Sequence, residues 1–104
     1  MNLSGFEAID WDDEEDDEGN LAHCLRHGVT EPIVAEVLGD RPVEIKMRLQ
    51  TAEYAIVGRD RSGGLWTILF DTSFKRGDWL RPITGWRSKP AEIREWKRTA
   101  GGHP

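Results

Sequence analysis

At Gly39-Asp40 the spacing of apolar residues changes from helical to alternating, and this change constrains the architecture of the chain more than any other feature. Before it, Ile33, Val34, Val37 and Leu38 recur at the spacing that gathers side chains on one face of a helix. After it, Val43, Ile45, Met47 and Leu49 alternate with Glu44, Lys46 and Arg48, as in a strand with one face on a core and the other in water. Tyr54 to Asp60 and Leu65 to Phe70 read as two further strands, joined by the hairpin signal Arg61-Ser62-Gly63-Gly64. Trp79 to Arg87 reads as the last strand. Pro82 has no amide hydrogen to give to a ladder, which points to an edge or a bulge there.

The helices announce their own ends. Asn20 to His27 forms a first helix that Gly28 stops; Thr30 is a good N-cap, and Pro32 suits the first turn of a second helix running to about Leu38. Lys89-Pro90 opens a third, from about Ala91 to Arg98, with Ile93 and Trp96 on its apolar side. With a short first strand at Gly5 to Ile9, the expected fold is α+β: two N-terminal helices and one C-terminal helix packed on one face of a mainly antiparallel sheet of about four to five strands. A chain of 104 residues has room for one such core, so residues 1–98 are expected to be a single domain and residues 99–104 a flexible tail. Trp11, Trp66 and Trp96 are expected in the core.

Cys24 is the lone cysteine and cannot close an internal disulfide, which suits a reducing interior. No apolar run is long enough for a membrane span, and the chain does not start like a secretory signal. A cytoplasmic protein without a membrane partner is expected. The net charge of -5 hides a polarity: residues 1–40 carry -11 and residues 41–98 carry +6. Eight of the nine residues from Asp10 to Glu18 are acids, interrupted only by Trp11, and such a block stays solvated. The C-terminal half is the candidate surface for a polyanion.

Several landmarks occur in a characteristic order: Trp11-Asp12, Asn20, Arg26-His27-Gly28-Val29, Gly58-Arg59, Arg81-Pro82-Ile83-Thr84-Gly85-Trp86-Arg87, and Glu92 to Trp96. In that order and spacing the chain resembles the BrnT-like toxin family from about Phe6 to Lys97. The resemblance implies a RelE-like fold and a metal-independent ribonuclease, the toxin of a type II toxin-antitoxin system. It also implies no cofactor, and a cognate antitoxin that binds operator DNA while the toxin itself need not touch DNA. In a mechanism of this kind a base removes the 2'-hydroxyl proton of RNA, that oxygen attacks the adjacent phosphate, and arginines hold the growing negative charge.

Arg81 and Arg87 are an even number of residues apart, so a regular strand would point both to one face, with Gly85 leaving space between them for a phosphodiester. The competing reading is that both pair with the acids of the first helix and simply hold halves of opposite charge together, and a bulge at Pro82 would break the parity. The resemblance adds Arg59 as a third phosphate contact; a solvated hairpin end is the alternative. His27 is the candidate for proton transfer, with His23, four residues earlier on the same helical face, in reserve. A histidine at the end of a helix can equally serve as its C-terminal cap. His23 and His27 at this helical spacing can coordinate one ion, but the intervening glutamate of a zinc protease helix is missing and Cys24 points about 100° away from His23, so no bound metal is expected. The acidic block offers a further possibility, a phosphate mimic lying across the basic groove. The alternative to the enzyme is a noncatalytic interaction module of the same fold.

Overall fold

The first helix ends as its sequence demands. In the computed structural model, which describes residues 8–48 and 52–101, α1 spans Asn20–Arg26 and is closed by Gly28 at φ 78°. Val29 N donates to Cys24 O at 2.9 Å and Gly28 N to Leu25 O at 3.0 Å, the paired bonds of a Schellman stop. Val29 and Cys24, both fully buried, meet the same core. Thr30 then caps α2 (Glu31–Gly39) by accepting from Ile33 N, with Pro32 in the first turn.

Five strands follow the expected order: β1 (Ala8–Ile9), β2 (Val43–Ile45), β3 (Tyr54–Arg59), β4 (Leu65–Thr72) and β5 (Trp79–Arg87). They form one sheet in the order β1-β5-β4-β3-β2, antiparallel except that β1 runs parallel to β5. The strand expected from Val43 to Leu49 leaves the ladder after Ile45, because its partner β3 begins at Tyr54 and Ile45 already lies opposite Ala55. Leu49 and the expected strand residues from Gly5 to Glu7 lie outside the described residues. The β3–β4 turn is built on Asp60, whose Oδ1 accepts from Ser62 N, Ser62 Oγ and Gly64 N at 2.9, 2.7 and 2.9 Å. Gly63 supplies the positive φ, 91°.

One expectation needs correction. The helices do not share one sheet face. Cys24 of α1 and Val34, Val37 and Leu38 of α2 pack on Ile56, Trp66, Ile68 and Phe70. The third helix, α3 (Pro90–Trp96), packs Trp96 with Val43, Ile45, Ala55, Val57 and Leu69. These are alternate residues of β3 and β4, so the sheet is covered on both sides. The signal lay in the unbroken apolar runs Ala55-Ile56-Val57 and Ile68-Leu69-Phe70, which a one-sided strand would not carry. At the C-terminus a π-helical turn over Lys97–Gly101 follows α3.

β5 is not an edge strand, since β1 and β4 flank it. It does contain the bulge: Leu69 pairs with Thr84 and Phe70 with Pro82, leaving Ile83 as an extra residue. α3 is anchored by Glu92, 7% exposed, whose Oε1 accepts from Lys89 N, Thr67 Oγ1 and Trp86 Nε1 at 2.8, 2.8 and 3.0 Å. α2 approaches β3 so closely at Gly58 that a β-carbon would sit 2.6 Å from Val37 O. Since that neighbour is backbone and cannot swing aside, Gly58→Ala is expected to destabilise the fold by about 1–3 kcal/mol, read as a lower urea midpoint; an unchanged midpoint would show that α2 has room to move.

Candidate functional site

The N-terminal segment is tied to β5 by a buried polar network. Asp12 receives both arms of the Arg81 guanidinium, Nη1 on Oδ1 at 2.9 Å and Nη2 on Oδ2 at 2.6 Å. Asn20, 7% exposed, locks the same region from four directions. Its backbone N donates to Asp12 Oδ2, its Oδ1 accepts from Asp12 N, and its Nδ2 donates to the carbonyls of Asp10 and Pro82, all at 2.8–2.9 Å. Pro82 lies beyond the two residues where β1 covers β5, so the Asn20 amide takes over part of the open strand edge. Gly19 makes the approach possible, because a β-carbon there would lie 2.7 Å from Asp12 Cβ.

Asp10, 2% exposed, completes the network. It accepts from Ser73 Oγ at 2.7 Å and from Lys75 Nζ at 3.3 Å, and its Oδ2 is 3.6 Å from Arg81 Nη1. Buried charges are tolerated when they are paired and hydrogen-bonded, and here they are. The Arg81 hydrogen bonds, aided by the Asn20 amide, pull the Asp12 carboxyl down to about 2, and the Asp12 carboxylate in turn raises Arg81. The guanidinium carbon also lies 5.7 Å from the centroid of Phe74, an exposed ring in the β4–β5 loop.

Beside this network is a shallow cleft of about 290 Å³, lined by Glu18, Asn20, His23, Arg26, Arg81 and Ile83 among others. His23 is thus the histidine that meets Arg81. His27 sits at the C-cap of α1 with its ring centroid 4.9 Å from that of His23. Both are exposed. Arg26 donates through Nη2 to the carbonyl of Asp17 at 2.5 Å, an interaction that leaves its charge unneutralised. Among the described residues, no group of three or more histidine, cysteine or acidic side chains could hold a metal ion.

The other candidate arginines are elsewhere. The bulge at Ile83 cancels the even spacing: Arg81 lies opposite Asp71 and Arg87 opposite Trp66, on different faces of the sheet. Six residues of strand also separate them by roughly 20 Å, so the single phosphodiester clamp is excluded by geometry. Arg87 lies over the Trp66 ring. Arg59 is on the α3 side, where it grips Asp40 through Nε and Nη2 at 3.1 and 3.2 Å and lies 5.3 Å from the Trp96 centroid. Of the five candidates, His23 and Arg81 line this cleft together, with Arg26 as an addition. Asn20 was visible as a landmark, but its role was not, since it rests on partners 8, 10 and 62 residues away.

Compared with known proteins, the chain matches no family model, and no curated protein is significantly similar to it.

The network sets two expectations. Arg81→Ala strands two carboxylates and is expected to cost about 3 kcal/mol, measured by urea unfolding at neutral pH; a loss below about 0.5 kcal/mol would mean that water replaces the guanidinium without penalty. Asp12 has its pKa lowered from 3.8 to about 2, so its contribution is complete above 3.8 and disappears as pH falls through about 2. Allowing for its partial exposure, stability should fall by about 1–2 kcal/mol over that interval. Asp12→Asn should flatten the slope; an equally steep acid limb in the variant would assign it to other carboxylates.

Proposed function

We propose that the chain is the toxin of a type II toxin-antitoxin pair, a BrnT-like ribonuclease that cleaves RNA without a metal. Two things support this reading: the order of landmarks across nearly the whole chain, and a cleft in which an exposed histidine stands beside two arginines. The cleft is the observation that carries it.

In this mechanism His23 takes the proton from the ribose 2'-hydroxyl, and the oxygen attacks the neighbouring phosphorus. The bond from phosphorus to the 5'-oxygen breaks, leaving a 2',3'-cyclic phosphate, and the departing 5'-oxygen takes up a proton from water to become a 5'-hydroxyl. Arg26 and Arg81 hold the negative charge that grows on the phosphoryl oxygens. Arg81 donates to the phosphate from a fork already occupied by Asp12, so substrate binding competes with an internal carboxylate. A small antitoxin that covers the cleft and binds operator DNA is the implied partner, and the site of action is the cytoplasm.

The same fork favours a second reading. A guanidinium filled by Asp12 and buttressed by Asp10 is already a satisfied structural cation. The exposed acids Asp13 to Glu18 beside the cleft repel phosphate, and none of them forms an ion pair among the described residues. A noncatalytic module that binds a basic partner through this side of the molecule fits those facts.

The two readings separate in a host induced to express the protein. Arg81 is unsuitable as the test position because its loss unfolds the network, whereas His23 and Arg26 are exposed. The intact chain should arrest growth and leave new RNA ends, and His23→Ala or Arg26→Ala should lower cleavage by about 100-fold with the fold retained. Normal growth with intact RNA, from soluble folded protein, would remove the enzyme and favour the interaction module.

A further inference from the structure

Arg87 differs from the other two arginine candidates in having its donors unspent. Arg59 and Arg81 each grip a carboxylate with two nitrogens. The Arg87 guanidinium makes no hydrogen bond among the described residues, and its ion pair with Asp60 is a long one, 4.0 Å. Its side chain is 68% exposed. Nevertheless the guanidinium has a defined place, with its carbon 4.5 Å from the Trp66 ring centroid.

What holds it there is the hairpin beneath. Trp66 is 5% exposed, and its indole N–H donates to Asp60 Oδ2 at 2.9 Å, so the ring is fixed. Hydrogen bonds from Trp66 and Ser62, in that order, keep the Asp60 carboxyl ionised down to about 2. The guanidinium also presses against Gly64, where any β-carbon would run into Arg87 Nη1. The guanidinium is thus held over a fixed indole while most of the Arg87 side chain stays exposed. Arg61 of the same hairpin and Lys89, two residues beyond Arg87, are also exposed.

We propose that Arg87 is a stacking platform for an unpaired nucleobase of RNA, the base lying on the solvent side of the guanidinium and its phosphate accepting from the free N–H groups. The proposal rests on the RNA reading above. It gives Arg87 a positioning role, away from the cleft where the bond would break. Guanidinium planes stack on bases and fork to phosphates at once, which a point charge cannot do. Since the bulge separates Arg87 from Arg81, a strand that reached both would meet them through different nucleotides.

The test is binding of a fluorescein-labelled, unstructured oligoribonucleotide of about twelve residues, followed by anisotropy, beside an abasic ribose-phosphate oligomer of the same length. Arg87→Lys keeps the charge and loses the plane. Gly64→Ala keeps Arg87 and pushes the guanidinium off Trp66, and Gly64 has no positive φ to strain. Both variants should weaken binding of the base-containing oligomer about tenfold, with the salt dependence unchanged and the abasic oligomer unaffected; melting curves verify their folding. Wild-type affinity in folded Arg87→Lys, an equal loss on the abasic oligomer, or no binding by the intact protein would each overturn the platform. Tight base-dependent binding without any cleavage would sink the ribonuclease and leave the platform standing.

Discussion

The pairing of Arg81 with Asp12, backed by Asp10, is the contact on which the N-terminal third of the molecule depends. It is where a chain segment of strong negative charge meets one of positive charge. Without it the two carboxylates would face each other across a buried space. With it, Asp12 can anchor Asn20, and Asn20 can place the start of α1 against β5. The direction of α1 then decides that His23 and Arg26 open onto the same cleft as Arg81. One ion pair therefore both secures the fold and defines the cleft, and this is why Arg81 belongs to two explanations at once.

The bulge at Ile83 has an equally large effect from a single residue. An unbroken β5 would have shown both arginines to one side of the sheet. Inserting one residue turns the outer half of the strand over, so that Gly85 meets Val29 beneath α1 and α2 while Arg87 reaches Trp66. The surroundings then assign different physics to one side-chain type. Arg81 is consumed by carboxylates, Arg59 is shared between Asp40 and the Trp96 ring, and Arg87 is held by packing with its polar edge open.

Local features were legible and long-range ones were not. Gly28, Thr30 and Pro32 mark helix limits because the physics that ends a helix acts within a few residues. The β3–β4 turn was readable for the same reason. Bulge placement depends on how β5 meets β4, and Pro82 announced that something would break without saying on which side of it. The two-faced sheet was written in the consecutive apolar residues of β3 and β4, but strict alternation in Val43 to Leu49 drew attention to a one-sided pattern. Of the candidate site, the residue types were visible; their grouping was not. That His23 lines the cleft with Arg81 depends on contacts far apart in the chain.

The N-terminal network also bears on the order in which the chain can assemble. Its principal bonds join residues separated by 62, 63, 65 and 69 positions, whereas the β3–β4 hairpin pairs residues across a turn of a few. The entropy of closing such a long loop must be met before any of these bonds contributes. A chain emerging from its amino end therefore carries Asp12 without its Arg81 partner until β5 has appeared, while the mutual repulsion of Asp13 to Glu18 persists in the folded domain. The last strand enters between β4 and β1, so β1 can join the sheet only through β5.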